Sequence, residues 1–119
     1  MSHVYVSAKM GDPLRKTLKD VRMLVDMGAT YPCIPESLAS ELGLRLEFKT
    51  KVTLADGRTV DAWYATAYIE IIGRGDLVPV KVFKVEEPLL GVFALEALGL
   101  AVNPSTGEVR PTRGFIARA

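Results

Sequence analysis

Leu24-Val25-Asp26-Met27-Gly28-Ala29-Thr30 decides how the rest of the chain reads. The mostly apolar run Val21-Arg22-Met23-Leu24-Val25 predicts a strand, and it ends in a carboxylate with a glycine two positions later. That order sets a short acidic side chain on a sharp bend at the edge of a core. The glycine lets the backbone turn tightly and leaves N–H groups free to hydrogen-bond the carboxylate. An isolated Asp-x-Gly is common and equally describes a solvated turn, so its meaning depends on the segments around it.

Working outward, strand signals dominate. Val4-Tyr5-Val6 opens a strand that Gly11-Asp12-Pro13 breaks, and Tyr31 to Ile34 forms a short one. Pro35 suits the first position of a short helix, Leu38 and Leu42 follow at i, i+4 spacing, and Gly43 stops it. The middle of the chain predicts a long hairpin. Val52 and Leu54 alternate with polar neighbours, Asp56-Gly57 supplies a φ > 0 turn, and a β-branched and aromatic strand returns from Thr59 through Ile71. Gly73-Arg74-Gly75 predicts the next turn and Val78 to Val85 the next strand, with Pro79 at an edge or entry position. Leu89-Leu90-Gly91 then precedes a second short helical pattern ending at Gly99, and the turn Asn103 to Gly107 leads to a last strand near Val109. Both helices end in Leu-Gly-Leu, at Leu42-Gly43-Leu44 and Leu98-Gly99-Leu100, each after a glycine-containing bend at Gly28 or Gly91. The spacings differ, which leaves half-chain duplication and chance recurrence both open.

Composition limits the function classes. The 119 residues are 49% hydrophobic and 24% charged, as expected of one domain over residues 1–119 with a core of its own. Fifteen basic against fourteen acidic residues give a net charge of +1, without the basic field of a nucleic-acid binder. The mild cluster Arg110, Arg113 and Arg118 reads as surface. One cysteine, Cys33, excludes an intrachain disulfide and a cysteine-based zinc site, and the sole histidine, His3, excludes most Ser-His and Cys-His chemistry. Cys33 itself reads as a small core hydrophobe. No metal or organic cofactor is expected. The apolar stretch from Leu89 to Val102 is too short to span a bilayer and carries Glu96. With a lone thiol and no export signal at the N-terminus, a cytoplasmic setting without membrane attachment is the expectation.

Taken in order, these segments resemble the retroviral-type, or retropepsin-like, aspartic proteases. That family carries an Asp-Thr/Ser-Gly-Ala loop after a hydrophobic strand, matched here by Asp26-Met27-Gly28-Ala29. Ile34-Pro35-Glu36-Ser37-Leu38-Ala39 and Leu42-Gly43-Leu44 match the stretch beyond it in cellular and prokaryotic members. The hairpin from Val52 to Ala62 matches the flap, including Leu54, Ala55, Asp56, Gly57 and Arg58. Leu89-Leu90-Gly91 matches the apolar bend before the last helix. The resemblance covers residues 4 to 111, and no single motif is specific where the ordered set is. It implies an all-β, closed acid-protease barrel with one or two short helices, built from two related half-chains.

The resemblance also implies an activity. Asp26 is the catalytic residue, and Leu89, Leu90 and Gly91 support its loop of Met27, Gly28, Ala29 and Thr30. The flap covers a peptide or protein substrate. A lone Asp, with a pKa of about 3.9, is simply ionised at neutral pH. Hydrolysis needs one carboxylate as base toward water and a second, protonated one as donor to the scissile carbonyl. Two facing Asp share one proton, so one such loop per chain implies a homodimer with Asp26 from each subunit at the axis. The N-terminal strand around Val4 to Val6, or the tail at Phe115-Ile116, would complete an intersubunit sheet.

Met27 departs from the family, standing where Thr or Ser braces the two loops; a thioether donates nothing. It favours an alternative, a weakly active or inactive dimer of the same fold that binds peptides or partner proteins. A third reading, a swapped-hairpin DNA-binding dimer, is opposed by the near-zero charge. Of the other residues, Trp63 and Tyr64 read as packing, Thr30 as a contact to backbone, and Glu86-Glu87 as a solvated loop.

Overall fold

The computed structural model describes residues 3–112. Its strands are β1 (Tyr5–Gly11), β2 (Leu18–Val25), β3 (Cys33–Ile34), β4 (Phe48–Thr53), β5 (Thr59–Ile71), β6 (Arg74–Val82), β7 (Leu89–Leu90), β8 (Leu100–Val102) and β9 (Val109–Pro111); the helices are α1 (Glu36–Leu42) and α2 (Val92–Leu98). The protein is mostly β with two short helices, as the resemblance implied. Among the described residues, no helix is long and apolar enough to cross a membrane.

Alternation builds the core. Val6, Ala8 and Met10 of β1 point inward, paired in antiparallel register with Met23, Val21 and Lys19 of β2. The outward Lys9 and Asp20 meet as a cross-strand ion pair at 3.0 Å. In β5, Ala65, Ala67, Ile69 and Ile71 are buried, and the small alanines face Val80 and Val78 of β6. Small against branched side chains fill one layer without overpacking. Val6 is in this core, and β1 pairs with β2 along its length and with β5 through Lys9 to Gly11. Phe115, Ile116, Arg113 and Arg118 lie outside the described residues.

The seven-stranded sheet runs β1-β2-β7-β3-β6-β5-β4, and β1 also pairs with β5. Exchanging β1 with β5, β2 with β6 and β3 with β7 leaves the pairings among these six strands unchanged: β2–β7 and β3–β6 are both parallel, while β3–β7 and β1–β5 map onto themselves. Individual hydrogen bonds repeat too. Leu24 N–H donates to Pro88 O at 2.9 Å and Lys81 N–H to Pro32 O at 2.9 Å; Asp26 N–H donates to Leu90 O at 3.1 Å and Phe83 N–H to Ile34 O at 3.2 Å. The Leu-Gly-Leu echo belongs to this symmetry. Gly43 and Gly99, at φ +69° and +65°, end α1 and α2 in the same way, donating to Ser40 O and Glu96 O. The true counterpart of Gly91 is Pro35, just ahead of the other helix, and not Gly28 as the sequence pattern had paired it. The counterpart of Asp26 is Phe83.

Three local expectations are corrected. Pro35 is the N-cap of α1 and not its first helical residue. The turn after β5 is Ile72-Gly73, and Arg74 and Gly75 already pair with Ile71 and Glu70. Pro79 therefore sits mid-strand. It is tolerated because Lys81 N–H points toward β3, so the Pro79 nitrogen two residues back faces the same side, where β3 has not yet begun.

Ile72 adopts φ +44° and Gly73 φ +79°, the pattern of a two-residue hairpin turn that favours Asn-Gly. A β-branched residue in the left-handed region costs about 1–2 kcal/mol, and Ile72 is 57% exposed, so little burial offsets it. Ile72→Asn is expected to raise Tm by about 3–6 °C. A lower Tm in a thermal melt would show that the side chain contributes packing that its exposure conceals.

Candidate active site

Asp26 leaves the end of β2 where the parallel neighbour β7 also ends, with Val25 opposite Leu90. The loop is tied down by backbone bonds before any side chain contributes. Asp26 N–H donates to Leu90 O, Ala29 N–H to Asp26 O at 3.1 Å, Val92 N–H to Ala29 O at 3.0 Å and Phe93 N–H to Thr30 O at 2.9 Å. Gly28 N–H donates to Asp26 Oδ1 at 2.9 Å, which fixes the carboxylate on its bend. A Cβ at Gly28 would stand 3.2 Å from that same oxygen.

Leu89-Leu90-Gly91 lies against this loop. Leu90 is fully buried beneath it, worth about 1.5–3 kcal/mol of apolar burial. Gly91 is required by close approach: a Cβ there would fall 2.8 Å from Ala29 O, from Thr30 O and from the Tyr31 carbonyl carbon.

Above the loop is a groove of about 760 Å³. Asp26, Gly28, Ala29 and Thr30 line one side; Lys51 to Ala55 of the β4–β5 hairpin line the other. Of the hairpin residues expected at the flap, Leu54 and Ala55 reach the groove, whereas Asp56, Gly57 and Arg58 form the turn and do not line it. Only Gly57 of the Asp-Gly pair has positive φ, +89°, following a turn closed by Gly57 N–H to Leu54 O. Asp56 accepts the Arg58 backbone N–H at 2.9 Å and its Nε at 2.7 Å, which together hold its carboxyl below the usual range. It locks the turn and is not aimed at the groove. Met27 does not line the groove and is 59% exposed. Trp63 packs against the core, and Tyr64 stacks on Phe48 with centroids 4.7 Å apart.

Cys33 is buried yet touches the groove. Burial, with the nearby Asp26 charge adding to it and Lys81 opposing, pushes its thiol up to about 11. It remains a thiol at neutral pH and is a poor nucleophile. Sequence reasoning did not single out Lys51, Thr53, Lys81 or Phe83 as groove residues. Lys81 alternates with the buried Val80 and Val82, which reads only as facing away from the core; the pairings with Cys33 and Tyr64 turn that face toward the groove.

The site is thus a hydrophobic strand ending in a loop-held Asp beside a hairpin-bounded groove. A family model described as aspartyl protease matches residues 6–94, and the chain belongs to that family. Among curated proteins none matches the chain.

Proposed function

We propose that this member of the aspartyl protease family is an endopeptidase working as a C2 homodimer, with one Asp26 from each subunit on either side of the attacking water. The observation that carries the reading is that Asp26, fixed by Gly28 N–H at the end of β2, is the only carboxylate lining the groove among the described residues. The internal symmetry offers no second one, because the position matching Asp26 carries Phe83. A dyad therefore needs a second chain. In this reading the circuit β1-β2-β7-β3-β6-β5 is a closed barrel, residues 1–119 form one domain, and the setting is cytoplasmic.

The paired carboxylates hold one proton between them. The ionised one takes a proton from water, the resulting hydroxide attacks the scissile carbonyl carbon, and the protonated one gives its proton to the carbonyl oxygen. Collapse breaks the C–N bond and returns a proton to the leaving nitrogen. The Leu54-Ala55 side of the groove offers backbone to an extended peptide.

Met27 favours a second reading, a dimer of the same fold that binds peptides or protein partners without efficient cleavage. Its exposed thioether leaves the acidic loop without a hydroxyl donor to a partner chain. Sedimentation and peptide-library digestion, with and without an aspartic-protease transition-state inhibitor, test both readings together with Met27→Thr. Proteolysis predicts an inhibitor-sensitive dimer. Met27→Thr is expected to tighten that dimer about 5- to 150-fold, since two net hydrogen bonds form by symmetry at about 0.5–1.5 kcal/mol each. A monomer at millimolar concentration would sink the dyad; a weaker Met27→Thr dimer with no gain in cleavage would favour the binding module.

A further inference from the structure

We infer that Lys81 gives the groove a preference for peptides with an acidic side chain close to the bond being cut, an inference that rests on the proteolytic reading above. Two lysines line the groove with Asp26. Lys51 is committed, its Nζ 2.7 Å from Asp61. Lys81 has no carboxylate partner among the described residues; its Nζ donates once, to Thr50 Oγ1 at 3.0 Å. An ammonium has three donors. Lys81 lines the groove, and the rings of Tyr31 and Tyr64 lie beside its ammonium, with centroids 5.6 and 5.7 Å from Nζ.

Those rings hold a cation in place without neutralising it. Among the described residues a neutral hydroxyl is its only hydrogen-bond acceptor, and a carboxylate in the same position makes a shorter, stronger, charge-assisted bond. The backbone of Lys81 is fixed as well, with its N–H on Pro32 O and its residue opposite Tyr64 on β5, so the charge is presented from a rigid strand. In a C2 dimer two such lysines flank the dyad, one from each subunit, which places the preference on both sides of the scissile bond.

The test is digestion of a proteome-derived peptide pool by the wild type, Lys81→Met, Lys81→Arg and Lys81→Glu, with folding checked by circular dichroism. The wild type is expected to cut sites bearing Asp or Glu about tenfold faster than the same sites bearing Asn or Gln, the factor that about 1.4 kcal/mol supplies. Lys81→Arg keeps the preference, Lys81→Met brings the ratio to about one, and Lys81→Glu inverts it toward Lys and Arg. On unmodified protein, added salt shrinks the same ratio, and a wild type whose acid preference is absent or indifferent to salt overturns the assignment even if a variant does not fold. Cleavage with no acid preference, or a preference that survives in folded Lys81→Met, overturns the role of Lys81 and leaves proteolysis standing. If nothing is cut, the same pool is passed over immobilised Asp26→Asn protein and over the Asp26→Asn, Lys81→Met double variant. Lys81-dependent retention of acidic peptides then upholds the groove assignment while the proteolytic reading fails. Equal retention by both, or none, overturns it.

Discussion

Asp26→Asn is expected to lower kcat/KM for peptide cleavage by about 10³–10⁴-fold, with the dimer and the melting temperature nearly unchanged. The substitution is close to isosteric, and the amide oxygen can still accept the Gly28 N–H that holds the side chain on its bend. The backbone bonds from Asp26 to Leu90 O and from Ala29 to Asp26 O do not involve the side chain at all. Geometry therefore persists while the ionisable group disappears. In the proposed symmetric dyad one substitution removes both the base and the donor, and general acid–base catalysis by such a group is worth about 10²–10⁴-fold. Stability changes little, or rises, since two facing carboxylates repel whenever both ionise. The measurement is steady-state cleavage of one good peptide, with sedimentation and a thermal melt on the same preparation. Cleavage surviving in pure Asp26→Asn protein would place the activity elsewhere.

The second large effect is expected of Gly91→Ala, where the cause is space and not conformation. Gly91 has φ −91° and ψ 173°, which alanine adopts freely. Its added methyl would nevertheless meet three backbone atoms of the acidic loop at 2.8 Å, and backbone cannot rotate aside as a side chain can. The loop must move, straining the bonds from Val92 to Ala29 O and from Phe93 to Thr30 O. Overpacking of this kind destabilises by about 1–3 kcal/mol, or about 5–15 °C in Tm for a chain of this size. In the proposed dyad, activity should fall further than stability, even well below the melting temperature, because displaced carboxylates would no longer reach one water together. Gly57→Ala is the control. A Cβ there meets nothing within 4 Å, so only its positive φ is penalised, and the acidic loop is untouched. A Gly91→Ala protein with wild-type Tm and turnover would mean that the loop and β7 are less closely packed than the 2.8 Å approaches indicate.

The placement of these two residues explains what was legible in advance. Asp26 could be read because strand, carboxylate and glycine are contiguous, and local chemistry specifies a strand that ends in a bend. Leu54 and Ala55 could be read as part of a hairpin from alternation and the Asp-Gly pair, but not which of the five flap residues reaches the groove. That depends on where Gly57 takes positive φ and how the turn closes on Leu54. The turn at Ile72-Gly73 was misplaced by a residue because propensity favours glycine and polar residues there, and a β-branched residue at φ +44° contradicts propensity. Pro79 misled for a related reason: its missing N–H is harmful only on a paired side, and pairing is not a local property.

The sequence by itself determined the longer strands and both helices in order, the two Leu-Gly-Leu helix ends, the acidic loop and its family, because each is specified within a few residues by periodicity, capping and turn chemistry; the short strands β7 and β8 it did not. Tertiary structure decided everything that needs residues far apart in the chain to meet. It made Gly91 a contact with Ala29 and Thr30, paired Asp26 with Phe83 across an internal symmetry, and turned Lys81 toward Thr50 and two tyrosines. The physical reason is register. A strand's alternation fixes which residues share a face, but only its hydrogen-bonded neighbours fix what that face looks upon.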